Sequence, residues 1–287
     1  MKVNGAVTVV VGVLALGAGA AQAQGRPGSS AKAFKYKGGK VETGVLYTYI
    51  RSDLAGTREG SVLVYVPDKK RVEIFRVNPG AAGGQLLTGE MNWDTCSLRQ
   101  FELWSEAKDG GRMRQATGVF SDSDLTMTVE DPALYRGAPG ATTFSVPLPH
   151  VPAHIYSLDA VTIGLALRHL ADKGGSAEIG VLTENRNVSK ESPNFLVPAG
   201  DVTISFVEDV ERDGIPCSKY QVTGAALGGE EGFVWLHREK GYLQDAEIPV
   251  PTWPEWPDVK ITLQSAEKVS AGDWPLRRSL ELSRILK

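Results

Sequence analysis

After about residue 40, apolar and polar positions alternate with a period of two, the spacing that puts successive side chains on opposite faces of a strand. Val41–Arg51 is rich in β-branched and aromatic residues, which suit a pleated, half-buried surface. Ser61–Val66 and Arg71–Val77 flank Pro67-Asp68-Lys69-Lys70 and predict a hairpin. Residues 95–104 and 112–120 flank Lys108-Asp109-Gly110-Gly111 and predict a second, followed by a strand at 125–130. Further strands are expected at 177–183, 201–207, 215–223, 232–237, 242–248 and 259–269. Short strands at this spacing with glycine turns imply an antiparallel curved sheet, half-barrel or sandwich.

One segment departs from that period. Leu158, Val161, Ile163, Leu165, Leu167 and Leu170 follow Ser157 and precede Gly174-Gly175, an N-cap and a C-terminal stop. They predict one α-helix at about 158–173, apolar on more than one face and so buried against the sheet. The fold class expected is therefore mainly β with one buried helix. Prolines 132, 139, 147, 149 and 152 mark 131–152 as a connection. Residues 41–287 read as a single mainly-β domain, or as two β halves joined by that connection.

The first residues read as an address. Lys2 precedes an apolar run, Ala6–Ala21, ending in Ala21-Gln22-Ala23. A positive start, a short apolar core and an A-x-A end describe a cleavable signal peptide, residues 1–23. The run is shorter than the roughly 20 residues that span hydrocarbon. Cleavage would leave a soluble mature chain starting at Gln24, with residues 24–40 as a Gly-, Ser- and Lys-rich leader and with no transmembrane segment. The expected location is periplasmic or extracellular. In that oxidising setting Cys96 and Cys217 either form one disulfide or stand as two buried thiols.

Charge narrows the partners. The 287 residues carry 31 Lys+Arg against 34 Asp+Glu, a formal −3, without the basic excess that nucleic-acid binding needs. There is no phosphate loop and no dinucleotide fingerprint outside the signal, so no cofactor is expected. His150 and His154 are weak metal candidates, because Pro152 between them opposes a helix and no Glu completes the metalloprotease pattern. Asp122-x-Asp124 lacks the later Gly and Glu of a calcium loop and reads as a turn. Glu178 replaces the last glycine of a nucleophile elbow at 174–178. Asn187-Val188-Ser189 is a chance sequon. Trp253 and Trp256, spaced by Pro254-Glu255, form either a lid on the core or an apolar platform for a sugar or lipid.

The segments SLDAVTIGLALRHL (157–170), DGIPCSKYQVTG (213–224) and GFVWLHREKGYLQDAEIP (232–249) resemble a family of secreted bacterial proteins of unknown function. Its members carry a helix opening on Leu and Asp and then a meander with a Gly-x-x-Trp-Leu step, matched by Gly232, Trp235 and Leu236. The broader likeness, over about 157–265, is to curved antiparallel sheets around a helix, as in periplasmic lipoprotein carriers. The resemblance implies no catalytic residue. It adds Trp235 to Trp253 and Trp256 as candidate ligand contacts. The function expected is an exported, non-enzymatic protein whose curved sheet binds an apolar ligand (a lipid or glycan) or an envelope partner. The alternative is a secreted hydrolase acting on glycan or ester substrates.

Overall fold

The structure, a computed structural model, describes residues 41–93, 97–131, 142–155, 176–185, 194–251 and 256–286. The expected signal peptide, leader, 158–173 helix and 187–189 sequon lie outside the described residues, as do Cys96, Trp253 and residues 174–175 of the 174–178 elbow segment, whose Ser176, Ala177 and Glu178 are described.

Fifteen strands form one sheet. The first eight are β1 (Val45–Ser52), β2 (Gly60–Val66), β3 (Arg71–Val77), β4 (Gly83–Asn92), β5 (Ser97–Ala107), β6 (Arg112–Phe120), β7 (Asp124–Val129) and β8 (Thr142–Pro147). Then follow β9 (Ala153–Ile155), β10 (Ser176–Glu184), β11 (Leu196–Arg212), β12 (Ile215–Thr223), β13 (Gly232–His237), β14 (Leu243–Pro249) and β15 (Asp258–Lys268). One helix, α1 (Trp274–Ile285), follows β15. The order across the sheet runs from β8 down to β1, then from β15 down to β9. All neighbours are antiparallel except β9 with β10. The mainly-β, curved antiparallel expectation therefore holds. Three strands and α1 go beyond the sequence expectations: β4, and β8 and β9 within or beside the proline-rich connection.

The topology forces the curl. The edge strands β8 and β9 are consecutive in the chain, joined by Leu148–Pro152. Fourteen inter-strand gaps of about 4.8 Å would hold the edges of a flat sheet about 67 Å apart. Five linking residues reach roughly 20 Å. The sheet must bend until its edges approach, and accordingly β8 nears β11 and β5 nears β9 without closing a ladder.

The inner face holds one continuous apolar cluster with members on every strand, among them Tyr47, Val64, Ile74, Leu103, Ile179 and Ile248. The outer face is covered in two ways. Over β1–β4 it is apolar (Leu46, Leu63, Tyr65, Phe75, Leu86), and Trp274 and Leu282 of α1 pack on it. That explains why β2 is buried along its whole length and alternates in side but not in polarity. Pro275 sits in the first turn of α1, where a missing N–H leaves no bond unmade.

At the β9 edge, a Cβ on Gly180 would lie 2.4 Å from the His150 carbonyl oxygen. The Leu148–Pro152 link thus rests directly on the β10 backbone. Gly180→Ala is expected to push that link away and cost about 1–3 kcal/mol, read as a shift in denaturation midpoint. A variant as stable as the parent would show that the link has room to yield.

Candidate functional site

The inner face changes character at one end. Along β1 the inward residues are Val45, Tyr47 and Tyr49, and the next is Arg51. Val72 and Ile74 of β3 lead to Arg76, and Leu87 of β4 leads back to Gln85. Met127 and Val129 of β7 lead to Asp131, and Leu182 of β10 leads to Glu184. In each case a polar side chain stands two residues beyond the last apolar one, on the same face by strand period. Antiparallel pairing brings these ends together as a polar ring on an apolar interior.

The ring is hydrogen-bonded across strands. The Arg76 guanidinium donates to the Gln85 carbonyl oxygen. Gln85 Nε2 donates to Gln115 Oε1 at 3.4 Å, and Gln115 Nε2 to Asp131 Oδ2 at 3.1 Å. Arg51 donates to Asn78 Oδ1 at 3.2 Å, and its guanidinium lies 4.4 Å from the centre of the Trp256 ring. Arg51, Arg76, Gln115 and Asp131 are all buried. Burial pulls the Arg76 pKa below the usual arginine range, and the Glu184 charge opposes that pull. β3 and β10 are far apart in sheet order, so this interaction spans the interior and belongs to the curl. Such a ring can hold the polar group of an amphiphile while the apolar cluster holds its tail.

The predicted contacts are dispersed. Trp256 packs against the inner cluster beside Arg51. Trp235 lies on the opposite face of the sheet, beneath Arg212, whose guanidinium is 4.1 Å from the ring centre. These two rings therefore do not make one platform. Around Trp235, among the described residues, charged side chains cover the outer face of β11–β15. Lys219 lies over Phe233 at 4.2 Å, and Arg212 bonds Asp245 and Glu247. Lysine and arginine stems shield aromatic faces while their charges stay wet.

Cys217 is buried in β12; in its thiol form burial and the nearby Asp245 push its pKa up to about 11. His154 is buried in β9, and His150 lies in the link before it. Among the described residues no three His, Cys, Asp or Glu side chains are grouped to hold a metal. Ser121 and Asp124 bond one another across the β6–β7 turn, as the turn expectation required. The ring residues themselves were missed from sequence. Their signal is present, a polar residue two places past the last apolar one, but which strand ends coincide is set by topology.

No protein-family model matches the chain, and no curated protein matches it. Among solved structures it is similar to a β-barrel-like protein of a domain of unknown function (DUF1849) from Brucella abortus. The two share 10% identity at a TM-score of 0.44, over 78% of this chain and 96% of that one. The hypothetical lipoprotein YmcC from Escherichia coli shares 11% identity over 76% of this chain and 83% of its own, with a TM-score of 0.31. A candidate outer membrane lipoprotein-sorting domain from Vibrio parahaemolyticus shares 10% identity over 82% and 90%, with a TM-score of 0.24. All three are bacterial, and their descriptions name a domain of unknown function, a hypothetical lipoprotein and a lipoprotein-sorting domain.

Proposed function

We propose that this is an exported, non-enzymatic envelope protein that holds an apolar ligand on the inner face of its curved sheet. The observation that carries the reading is the polar ring. The interior is apolar from strand to strand and turns polar at the end where Arg51, Arg76, Gln85, Gln115, Asp131 and Glu184 stand. A fold needs no buried arginine for stability, because burying a guanidinium is costly unless something is gained from it. Here Arg76 and Arg51 face the ligand's polar group, and Trp256 closes the rim beside Arg51. Trp235 serves the outer face instead. Residues 41–287 act as one domain in this reading, since the ring draws side chains from both halves.

Export through residues 1–23 puts Gln24 at the mature N-terminus and permits the Cys96–Cys217 bridge, which non-reducing peptide mapping of periplasmic material detects as one cross-linked peptide. The ligand test is direct. Solvent extraction of the purified protein followed by mass spectrometry is expected to release an amphiphile. Arg76→Gln should lower the amount retained several-fold, and so should Arg51→Gln. Parent protein that carries no lipid and fails to bind a fluorescent fatty acid would sink the reading.

A further inference from the structure

We propose that the outward face of α1 docks the protein on an anionic lipid surface. The inference goes beyond the ligand reading and does not depend on it. α1 is fixed to the sheet by one side. The Trp274 ring lies 5.2 Å from that of Tyr65, its Nε1 donates to Glu73, and Arg278 makes a two-pronged bond to Glu106, both arms 3.0 Å. Leu282 is buried on the same side.

The opposite side carries Leu276 and Leu280, one helical turn apart, 60% and 57% exposed. They are the most exposed large apolar side chains among the described residues. A leucine pair at that spacing forms a stripe along one helix face. Arg277 and Arg284, both largely exposed, stand beside it. Arg277 pairs with Glu267 at the surface, where water weakens the attraction, and Arg284 pairs with the half-buried Glu281 within the helix. Lys268, at the end of β15, is exposed as well. α1 holds three arginines and one glutamate, a local +2 in a chain of −3.

Apolar residues flanked by arginines on a helix that lies flat are the features of an interfacial helix. A second copy of the chain is a poorer occupant. Two leucines cover far less than the roughly 800 Å² per partner that a stable dimer buries, whereas a bilayer needs no complementary shape. Because Trp274 and the Arg278–Glu106 pair hold α1 from behind, Leu276 and Leu280 can enter the headgroup layer without unfolding anything.

Flotation with vesicles of phosphatidylcholine and phosphatidylglycerol (7:3), against phosphatidylcholine alone, tests this. The parent is expected to float with the mixed vesicles and to stay behind with the neutral ones. Leu276→Ser with Leu280→Ser should lower the partition about tenfold. Arg277→Gln with Arg284→Gln should remove the preference for the anionic vesicles, and 0.5 M salt should weaken binding likewise. The leucine pair should move the melting temperature little, since both side chains are exposed, and losing the exposed Arg277–Glu267 pair should add little more. Arg76→Gln should float like the parent, which separates surface docking from lipid taken into the interior. The proposal is overturned by a parent that ignores anionic vesicles, by a leucine variant that floats equally well, or by a micromolar dimer that the leucine changes dissociate.

Discussion

Replacing Trp274 by Ala is expected to lower the stability of the fold by about 3–5 kcal/mol, the range for removing a buried aromatic from a packed site. The indole is 3% exposed and is the centre of the outer cluster. It lies against Tyr65, receives the Arg278 guanidinium at 5.0 Å, and donates its N–H to Glu73. Alanine would leave a cavity between α1 and β2–β3 and would take from the Glu73 carboxylate the indole N–H that now donates to it. Leu46, Leu63 and Phe75 would lose their cover as the helix loosened. At 2–4 °C per kcal/mol for a chain of this size, the melting temperature should drop by roughly 10 °C. Chemical denaturation checks the energy, and proteolysis checks the helix, because a loosened α1 should be cut first. A loss of less than about 1 kcal/mol would mean that the sheet's outer face does not need the helix.

Asp245→Ala should cost about 3 kcal/mol, at the low end for breaking a buried charge pair. The carboxylate is 1% exposed. It accepts from Arg212 Nε at 2.9 Å and from Thr262 Oγ1 at 3.1 Å. Its removal leaves Arg212 on the Trp235 ring with Glu247 alone, and leaves the Thr262 hydroxyl without this acceptor. The loss stays at the low end because Arg212 is about a quarter exposed and keeps that second carboxylate.

The pH dependence has a definite sign. Burial raises the Asp245 pKa, while Arg212 and Thr262 hold it back. A carboxyl whose folded pKa lies above its unfolded value of 3.8 adds stability below that value and loses it as pH rises through the folded pKa. Asp245→Asn has no such titration. The advantage of the parent over this variant should therefore be greatest in acid and should narrow as pH rises through the folded pKa. Urea midpoints measured across acidic pH would show it, and a gap that widens with pH would refute the assigned direction.

Much of the β architecture was legible because strand formation is a local property. β1, β2, β3, β6 and β12 lie within a few residues of the runs read from period two alone, since the alternation is itself what the pleat selects. Where reading failed, tertiary contacts overrode local composition. β4 is a ten-residue strand despite Gly83, Gly84 and Gly89. At Gly84 a side chain would strike the Phe75 ring, and at Gly89 it would strike Leu98. A glycine that weakens a strand in isolation is required here by a neighbour drawn from another part of the chain. β8 ends on Pro147 and β9 follows Pro152, and prolines are tolerated there because these are the two edges of the sheet. α1 carries leucines on both its sheet side and its solvent side, so its apolar pattern did not declare a face until the sheet supplied one.

The site divides in the same way. Sequence by itself determined most of the strands, the acidic balance and the apolar character of the inner face, because each depends on residue type and near-neighbour spacing. It also placed a polar residue at the end of each run, in Arg51, Arg76, Gln85, Asp131 and Glu184. Only the tertiary structure decided that these ends coincide, that Trp256 lies beside Arg51, and that Trp235 lies on the far face beneath Arg212. The physical reason is pairing at long range. β1 meets β15, and β8 and β9 become the two edges, so the order of strands in space is set by which faces bury most apolar surface together, a sum over the whole chain that no local window contains.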